Sequence, residues 1–401
     1  AVKDELDLLP YKTMVGTRFY NVQPPRKDAT AAARLRVAGA LMMGKSNMHE
    51  LGMGVTGMNP SCGSARNPHH PDHYPGGSSS GSAVAVAAGL CPLALGIDGG
   101  GSIRIPASLS GVVGLKTTWG RVSHAGSASL SWSVSTVGPL GVSVRDVSLG
   151  YALIAGPDER DSWTQNQPAV HLEGLENPSL EGLRLGWFPA WLNHARVEVT
   201  HAVQNMFEPL REAGATLHEI KISGLDVAHL SLLVTIITEM RAALKFYTKQ
   251  WKSPLCLENI INLRLAGMLS GDDYVKAQRV RSDTIELFQE VFRDVDAIIT
   301  PTTACTAPPI LPDSHLYGES DLAIQNELMR FTTTANLTGL PALSLPVGYD
   351  SSGLPIGMQL IGRPWEEARL LHVACVAEKF VTRKVPMLHY SLLHEKALTT
   401  Q

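Results

Sequence analysis

The sequence lacks the features of several protein classes. No block of basic residues occurs in a chain whose formal net charge is −3, so nothing indicates binding of nucleic acid. We find no uninterrupted apolar run of about 18 residues and no signal peptide, and therefore predict no transmembrane helix. The five cysteines are scattered and form no CxxC pair. This argues against a disulfide framework or a zinc knuckle and favours a reducing, intracellular compartment.

The composition is that of an ordinary globular α/β protein. Apolar residues make up 44% of the 401 residues and charged residues 18%, with 36 glycines and 25 prolines. Because no internal repeat or linker interrupts the chain, we predict one large α/β domain over residues 1–401. The chain begins AVKDE, without Met, in what reads as the end of a strand. We therefore expect the N-terminal part of the fold to be missing.

Helix and strand signals alternate along the chain, as in α/β folds. Residues 28–39 predict a helix with Asp28 as its N-cap, and ALMMGKSN predicts a buried strand after it. A strand, an amphipathic helix over 200–215 and another strand favour a parallel sheet. The apolar helix over 230–247 is interpreted first as a core helix, and otherwise as the wall of an acyl-chain pocket or a membrane-facing surface.

Two motifs suggest other chemistry but lack its structural context. Residues 39–46 match the G-x-x-x-x-G-K-[ST] phosphate-binding loop, yet a helix precedes them where that motif needs a strand. The segment HHPDH at 69–73 resembles a metal cluster. Prolines at 68, 71 and 75 break any regular face, and we predict no metal site.

The stretch from Gly76 to Pro106 carries the strongest chemical signal. Two clusters of serine and glycine bracket an apolar segment, which suits acyl transfer because that reaction needs a nucleophile and an oxyanion pocket. Ser79 fits a G-x-S-x-G nucleophile elbow, but the strand that must precede it is absent. Ser102 follows three glycines whose N–H groups could converge on one oxygen. No sequence rule ties a particular base to Ser102.

Three segments resemble the amidase signature family: GGSSSGSAVAVAAGL, LGIDGGGSIRIPASLSGVVGLKTTWGRV and GLPALSLPVGYDSSGLPIGMQLIGRPWEEARLL. The resemblance implies a mixed twisted sheet sandwiched by helices and a Ser–cis-Ser–Lys triad. The nucleophile of that triad would be Ser102, the bridging serine Ser78 and the base Lys3 of AVKDE, whereas Lys45 matches a non-catalytic position. For Lys3 to act as a base its pKa must be lowered, which burial favours. The N–H groups of Gly99, Gly100, Gly101 and Ser102 would hold the oxyanion.

Within that family the motifs are most similar to fatty acid amide hydrolases of plants. The resemblance implies cleavage of fatty acid amides, such as N-acylethanolamines, to a fatty acid and an amine, without a cofactor. Gly52 and Met53 would contact the substrate. A homodimer and a peripheral contact with the endoplasmic reticulum or plasma membrane are further expectations.

Other functions stay open as alternatives. The glutaminase (A-type) subunit of a tRNA-dependent amidotransferase is one, although HAGSASLSWSVSTVGP lacks the acidic residue expected there. An amidase for small amides is another. A binding or scaffold protein whose serine loops only pack is the alternative without catalysis.

Overall fold

The computed structural model describes residues 1–21, 23–245, 247 and 255–390. Ten strands in this part of the chain form one mixed sheet, in the spatial order β2-β1-β3-β5-β4-β9-β10-β8-β6-β7. The strands are β1 (Val2–Lys3), β2 (Lys45–Ser46), β3 (Leu93–Asp98), β4 (Val113–Lys116), β5 (Thr136–Gly141), β6 (Arg184–Trp187), β7 (Thr216–Glu219), β8 (Ala297–Pro301), β9 (Ala342–Tyr349) and β10 (Pro355–Gly362).

Helices cover both faces of the sheet. Their bounds are α1 (Thr30–Val37), α2 (Ser80–Ala87), α3 (Arg104–Ser110), α4 (Val144–Ile154), α5 (Pro189–Leu192), α6 (Val197–Gln204), α7 (Phe207–Glu212), α8 (Leu225–Leu244), α9 (Leu257–Ala266), α10 (Gly271–Asp294), α11 (Ser314–Tyr317), α12 (Leu322–Met329), α13 (Thr333–Thr338) and α14 (Glu367–Glu378).

The sheet is buried on both sides at its centre. Leu343 of β9 packs into a cluster with α4, α6, α7 and α14, while the neighbouring Ala342 packs into a cluster with α10 and α13. Successive residues of a strand point to opposite faces, so one strand serves both cores. Near one edge of the sheet, β1 lies between β2 and β3 and runs parallel to both. This arrangement brings Lys3, at the end of β1, beside the end of β3.

The predicted fold class is confirmed, a single α/β fold with a large mixed sheet flanked by helices. The strand, helix and strand predicted between residues 182 and 222 appear as β6 and β7, which pair in parallel. Helix α4 has a capped N-terminus. Ser143 and Asp146 form a capping box there, in which each side chain accepts a hydrogen bond from the other residue's backbone N–H.

Three local predictions are wrong. The single helix predicted over 200–215 is two helices, α6 and α7, because Pro209 has no N–H to donate and its ring crowds the carbonyl four residues earlier. Of the predicted buried strand ALMMGKSN, only β2 forms a strand, and Leu41 is exposed. Asp28 does not cap α1, since its carboxylate pairs with Arg36 at 2.8 Å instead.

Helix α8 meets the length and composition of a membrane-crossing helix, the one helix in the described ranges that does so. A core helix of a soluble protein passes the same criterion. In α8, 39% of the apolar window is buried inside the protein. Its buried side chains Leu232, Met240 and Leu244 pack into hydrophobic clusters.

Candidate active site

Lys3 is a buried lysine with three acceptors around its ammonium group. Its Nζ donates to Ser78 Oγ at 2.8 Å and to the carbonyl oxygen of Ile97 at 3.2 Å. Glu5 Oε2 lies 2.8 Å from the same nitrogen. Only 1% of Lys3 is exposed, so these three contacts replace water around the charge.

Ser78 follows a backbone that only glycine fits. Gly76 has φ +81°, and a Cβ there would lie 2.7 Å from Cα of Pro106. A Cβ on Gly77 would lie 2.8 Å from the backbone nitrogen of Gly57. The peptide bond between Gly77 and Ser78 is cis. The close contact between Gly76 and Pro106, at the start of α3, fixes the first serine cluster against the second.

Ser102 lies in the turn between β3 and α3. Its carbonyl oxygen accepts a hydrogen bond from the backbone N–H of Ser79 at 3.1 Å, which joins the two serine clusters directly. Ser102 and Ser78 line the same cavity as Lys3. In the residues that the structure describes, Ser78 Oγ and Ser102 Oγ form no hydrogen bond with each other. Of the predicted triad, the hydrogen bond between Lys3 and Ser78 is therefore present, and one between Ser78 and Ser102 is not.

The buried carboxylate of Asp98 shapes this turn. It accepts hydrogen bonds from the backbone N–H groups of Gly101 at 2.7 Å and Ile103 at 3.1 Å. It also pairs with Arg104 at 2.9 Å. Burial alone would raise the pKa of Asp98, but the charge and hydrogen bonds of Arg104 hold that pKa well below its usual range.

The predicted set of oxyanion donors needs one correction. The N–H of Gly101 is already used by Asp98 and is not free for a substrate oxygen. The N–H groups of Gly99, Gly100 and Ser102 have no acceptor in the described part of the chain. These three N–H groups remain the proposed oxyanion donors, and sequence alone could not show that Asp98 turns back onto Gly101.

The cavity itself is narrow, with a volume of about 20 Å³. That volume suits about one water molecule and is too small for an acyl chain. Gly52 lines the cavity, and Met53 lies in the apolar cluster next to it. The remaining lining residues are Glu5, Leu51, Ile97, Gly99, Leu130, Ser131, Ser135, Ile236 and Met240.

Two other lysines, buried Lys116 and half-buried Lys45, differ from Lys3 in their partners. Burial and the charge of Arg104 lower the pKa of Lys116 to about 7. Its Nζ nevertheless donates to the carbonyl oxygens of Thr117 and Leu340. Lys45 pairs with Asp4 at 3.3 Å and lines a different cavity. Of these three lysines, only Lys3 places its amine against a serine of the Gly76–Pro106 stretch.

Three polar residues of this cavity were not predicted from the sequence. Glu5 follows Lys3 by two positions, and that spacing in an extended chain would have placed both side chains on one face. Ser131 and Ser135 form a hydrogen bond of 2.6 Å between their hydroxyl groups. Both approach Gly99, since a Cβ there would lie 2.9 Å from Ser135 Oγ and 3.2 Å from Ser131 Oγ. No sequence signal marks these two serines among the many in that loop.

The mixed sheet and the lysine–serine pair beside a glycine-rich turn define an α/β protein with a serine-based site. The family model described as Amidase matches residues 1–371, and the chain belongs to that family. The family predicted from the sequence is therefore confirmed.

Individual relatives share most of this chain. A fatty acid amide hydrolase of Medicago truncatula is 42% identical over 98% of the chain, which spans 66% of that relative's length. The A-type subunit of the glutamyl-tRNA(Gln) amidotransferase of Symbiobacterium thermophilum is 37% identical over 94% of the chain and 82% of the relative. The solved structure of the corresponding protein from Thermotoga maritima superposes with a TM-score of 0.84 at 30% identity, covering 97% of this chain and 86% of the other.

Proposed function

We propose that this chain is a serine amidohydrolase that cleaves fatty acid amides, including N-acylethanolamines, to a fatty acid and an amine. The observation that carries the proposal is the 2.8 Å hydrogen bond between Lys3 and Ser78 in a cavity that Ser102 also lines. A relative at 42% identity that is named a fatty acid amide hydrolase supports the substrate class.

In the proposed reaction Ser102 attacks the amide carbonyl. Its proton moves to Ser78, and the proton of Ser78 moves to the lone pair of neutral Lys3. The carbonyl electrons move to oxygen, where the N–H groups of Gly99, Gly100 and Ser102 stabilise the charge. The proton then returns through Ser78 to the leaving nitrogen, the C–N bond breaks, and water later releases the acid by the reverse relay.

The acyl chain would occupy the apolar cluster beside the cavity. Leu51, Leu130 and Met240 belong both to the cavity wall and to this cluster, which continues through Met53. A fatty chain would enter by separating these side chains, and the apolar contacts they lose would be replaced by contacts with the chain. Gly52 and Met53 thus remain proposed substrate contacts.

Labelling with a fluorophosphonate, followed by peptide mapping, tests the nucleophile. We expect the label on Ser102 in the wild type, and expect Ser102→Ala to abolish both labelling and hydrolysis of a long-chain N-acylethanolamine while the fold survives. Ser79→Ala is the matched control, because Ser79 is the rival nucleophile and its hydroxyl donates to the carbonyl oxygen of Ile97. Wild-type turnover in Ser102→Ala would refute the proposed mechanism.

A glutaminase is the second candidate, since the amidotransferase relative of 37% identity shares 94% of the chain. A substrate panel separates the candidates: a long-chain acylethanolamide, glutamine, indoleacetamide and short amides. The apolar lining residues predict preference for the long-chain amide. Preference for glutamine would favour the glutaminase of an amidotransferase, and preference for a short amide would favour an amidase for small amides.

We further propose a peripheral membrane contact through the surface that α8 and α9 share. Large apolar side chains are exposed on both helices, namely Val227 and Leu230 on α8 and Leu257, Ile261 and Leu265 on α9, with Met268 just after α9. Exposed apolar side chains of this size fit a membrane or protein surface where they adjoin one another. Co-sedimentation with phospholipid vesicles tests the contact, and sedimentation velocity tests the homodimer that the family resemblance implies.

A further inference from the structure

The carboxylate of Glu5 is the one ionisable group among the three acceptors of Lys3. Ser78 contributes a hydroxyl oxygen and Ile97 a carbonyl oxygen, whereas Glu5 Oε2 lies 2.8 Å from Nζ as an ion-pair partner. Glu5 is buried and lines the cavity with Ser78 and Ser102. A buried carboxylate placed against the amine therefore belongs to the same network as the serines.

A base that receives a proton becomes charged, and in a buried site that charge needs a partner. In a Ser-His-Asp triad the aspartate supplies it by orienting the base and stabilising its protonated form. We propose that Glu5 is a positioning residue with this role. It holds the amine of Lys3 toward Ser78 and stabilises the ammonium formed when the proton of Ser102 arrives. The inference rests on the proposed serine mechanism and adds a fourth member to it.

The proton balance is simple. Ser102 loses its proton as its oxygen bonds to the substrate, Ser78 passes one proton on, and Lys3 gains one. Glu5 gains and loses none, and remains a carboxylate throughout. Its contribution is the attraction between that negative charge and the new ammonium, which acts only once Lys3 is protonated and therefore favours the transition state over the ground state.

Other titratable groups near Glu5 do not replace Lys3 as its partner. From β2, Lys45 is paired with Asp4. From the loop before α1, Tyr20 donates to the carbonyl oxygen of Ala128, and burial, with Tyr247 and Glu5, raises its pKa, so that it stays neutral. From the loop after β4, burial lowers the pKa of His124, which favours its neutral form. The remaining charge in this neighbourhood is Asp7, which is an acid like Glu5.

The test is the pH profile of labelling by a fluorophosphonate, which needs no knowledge of the natural substrate. Ser102 forms a bond to phosphorus, fluoride leaves, and the proton follows the same relay to Lys3. We compare wild type, Glu5→Gln and Glu5→Asp. The matched control is Glu319→Gln, which changes a buried carboxylate that accepts from Tyr74 outside the cavity. Circular dichroism establishes that each variant folds.

Without the carboxylate the ammonium of Lys3 is less stable and the amine is a weaker base. In Glu5→Gln we expect the acidic limb of the labelling profile to move to lower pH by about one unit, the lower end of the effect of a nearby opposite charge. The alkaline plateau should fall about tenfold or more, because proton transfer is slower to a weaker base. Glu5→Asp, whose carboxylate is one methylene further away, should lie between wild type and Glu5→Gln. Glu319→Gln should match the wild type.

An acidic limb that does not move in Glu5→Gln overturns the proposal, even if the plateau falls, because a merely structural role lowers the plateau without moving the limb. If Glu5→Gln does not fold, Glu5→Asp decides alone: a limb displaced to lower pH supports the proposal and an unmoved limb overturns it. A label on a residue other than Ser102 in the wild type is a different result. It would refute the serine mechanism itself and Glu5's role with it.

Discussion

Ser78 is held in place by contacts between backbones. Gly76 adopts φ +81° and lies so close to Pro106 that an added Cβ would be 2.7 Å from its Cα. Pro106 belongs to α3, the helix that follows Ser102. The separation of the two serine clusters is therefore set by a contact between backbone atoms, which cannot be relieved by moving a side chain.

Gly76→Ala should both destabilise the protein and slow labelling of Ser102. Gly353→Ala is the matched control, since Gly353 has φ +84° with nothing within 4 Å of an added Cβ. The left-handed backbone alone costs about 1–2 kcal/mol for a residue with a Cβ, and both variants should lose that much. Only Gly76→Ala should lose more, with slower labelling, as urea unfolding and fluorophosphonate kinetics would show. Equal losses in the two variants would contradict the close contact.

The residues of the site differ in how far the sequence could predict them. The serine and glycine clusters were visible because hydroxyl groups beside bare N–H groups suit acyl transfer, but the role of Lys3 came from family resemblance alone. Glu5 was missed, although its spacing from Lys3 would place both side chains on one face of an extended chain. The use of Gly101 by Asp98 was missed because it depends on where a carboxylate points after the chain folds, which residue type and spacing do not determine.

At the scale of elements, α8 builds the apolar side of the cavity. Ile236 and Met240, one helical turn apart, line it, while Leu230 on the same helix is 60% exposed. The loop before β5 also lines the cavity, and Glu239 of α8 holds that loop by accepting from the backbone N–H of Ser133 at 3.1 Å. One helix therefore provides both an apolar surface of the cavity and an anchor for the loop that lines it.

Ile236→Trp should select against long acyl chains. The larger ring would fill the side of the cavity where we propose that the acyl chain enters, so kcat/KM for a long-chain N-acylethanolamine should fall about tenfold or more, whereas hydrolysis of a short amide should change little. Leu230→Trp, on the exposed face of the same helix, is the control and should alter neither. An equal loss for long and short amides in Ile236→Trp would instead indicate a general disruption of the site.

Local chemistry decides some element boundaries. The turn YDSSG joins β9 and β10, because its short polar residues and glycine suit a tight reversal. The helix predicted over 200–215 failed at Pro209, whose effect the apolar period concealed. The order of the ten strands and the pairing of β4 with β9 depend on contacts distant in the chain, and no local pattern encodes them.

At the scale of the whole molecule, Arg104 joins segments that are far apart in sequence. Besides its pair with Asp98, its guanidinium donates to Asn336 of α13 at 2.5 Å and to Gln359 of β10 at 2.6 Å. It also donates to the carbonyl oxygen of Thr332 at 2.9 Å. This buried network ties the turn that carries Ser102 to the C-terminal strands, so we expect its loss to weaken the fold as a unit.

Asp98→Asn should be strongly destabilising at neutral pH. The substitution leaves the buried guanidinium of Arg104 without its counter-charge, and breaking such a pair costs about 3–5 kcal/mol. Urea unfolding followed by circular dichroism measures the loss. The exposed pair of Arg211 and Glu208, 3.4 Å apart, supplies the control, since Glu208→Gln removes an ion pair that water already screens. A small effect of Asp98→Asn would mean that the network does not hold the fold together.

The ion pair of Asp98 and Arg104 also determines how the difference in stability between the wild type and Asp98→Asn changes with pH. The pKa of Asp98 is lowered in the folded protein, so its contribution to stability is complete above the pKa of an unfolded aspartate, about 3.9, and is lost as the pH falls toward the folded pKa. Below about pH 4 the wild type should therefore lose its advantage over Asp98→Asn by about 1.4 kcal/mol per pH unit. Unfolding in urea at pH 7, 4 and 3 measures this. An advantage that stays constant from pH 4 to pH 3 would mean that Asp98 is not held as a carboxylate by Arg104, and that the turn carrying Ser102 is fixed by its backbone contacts instead.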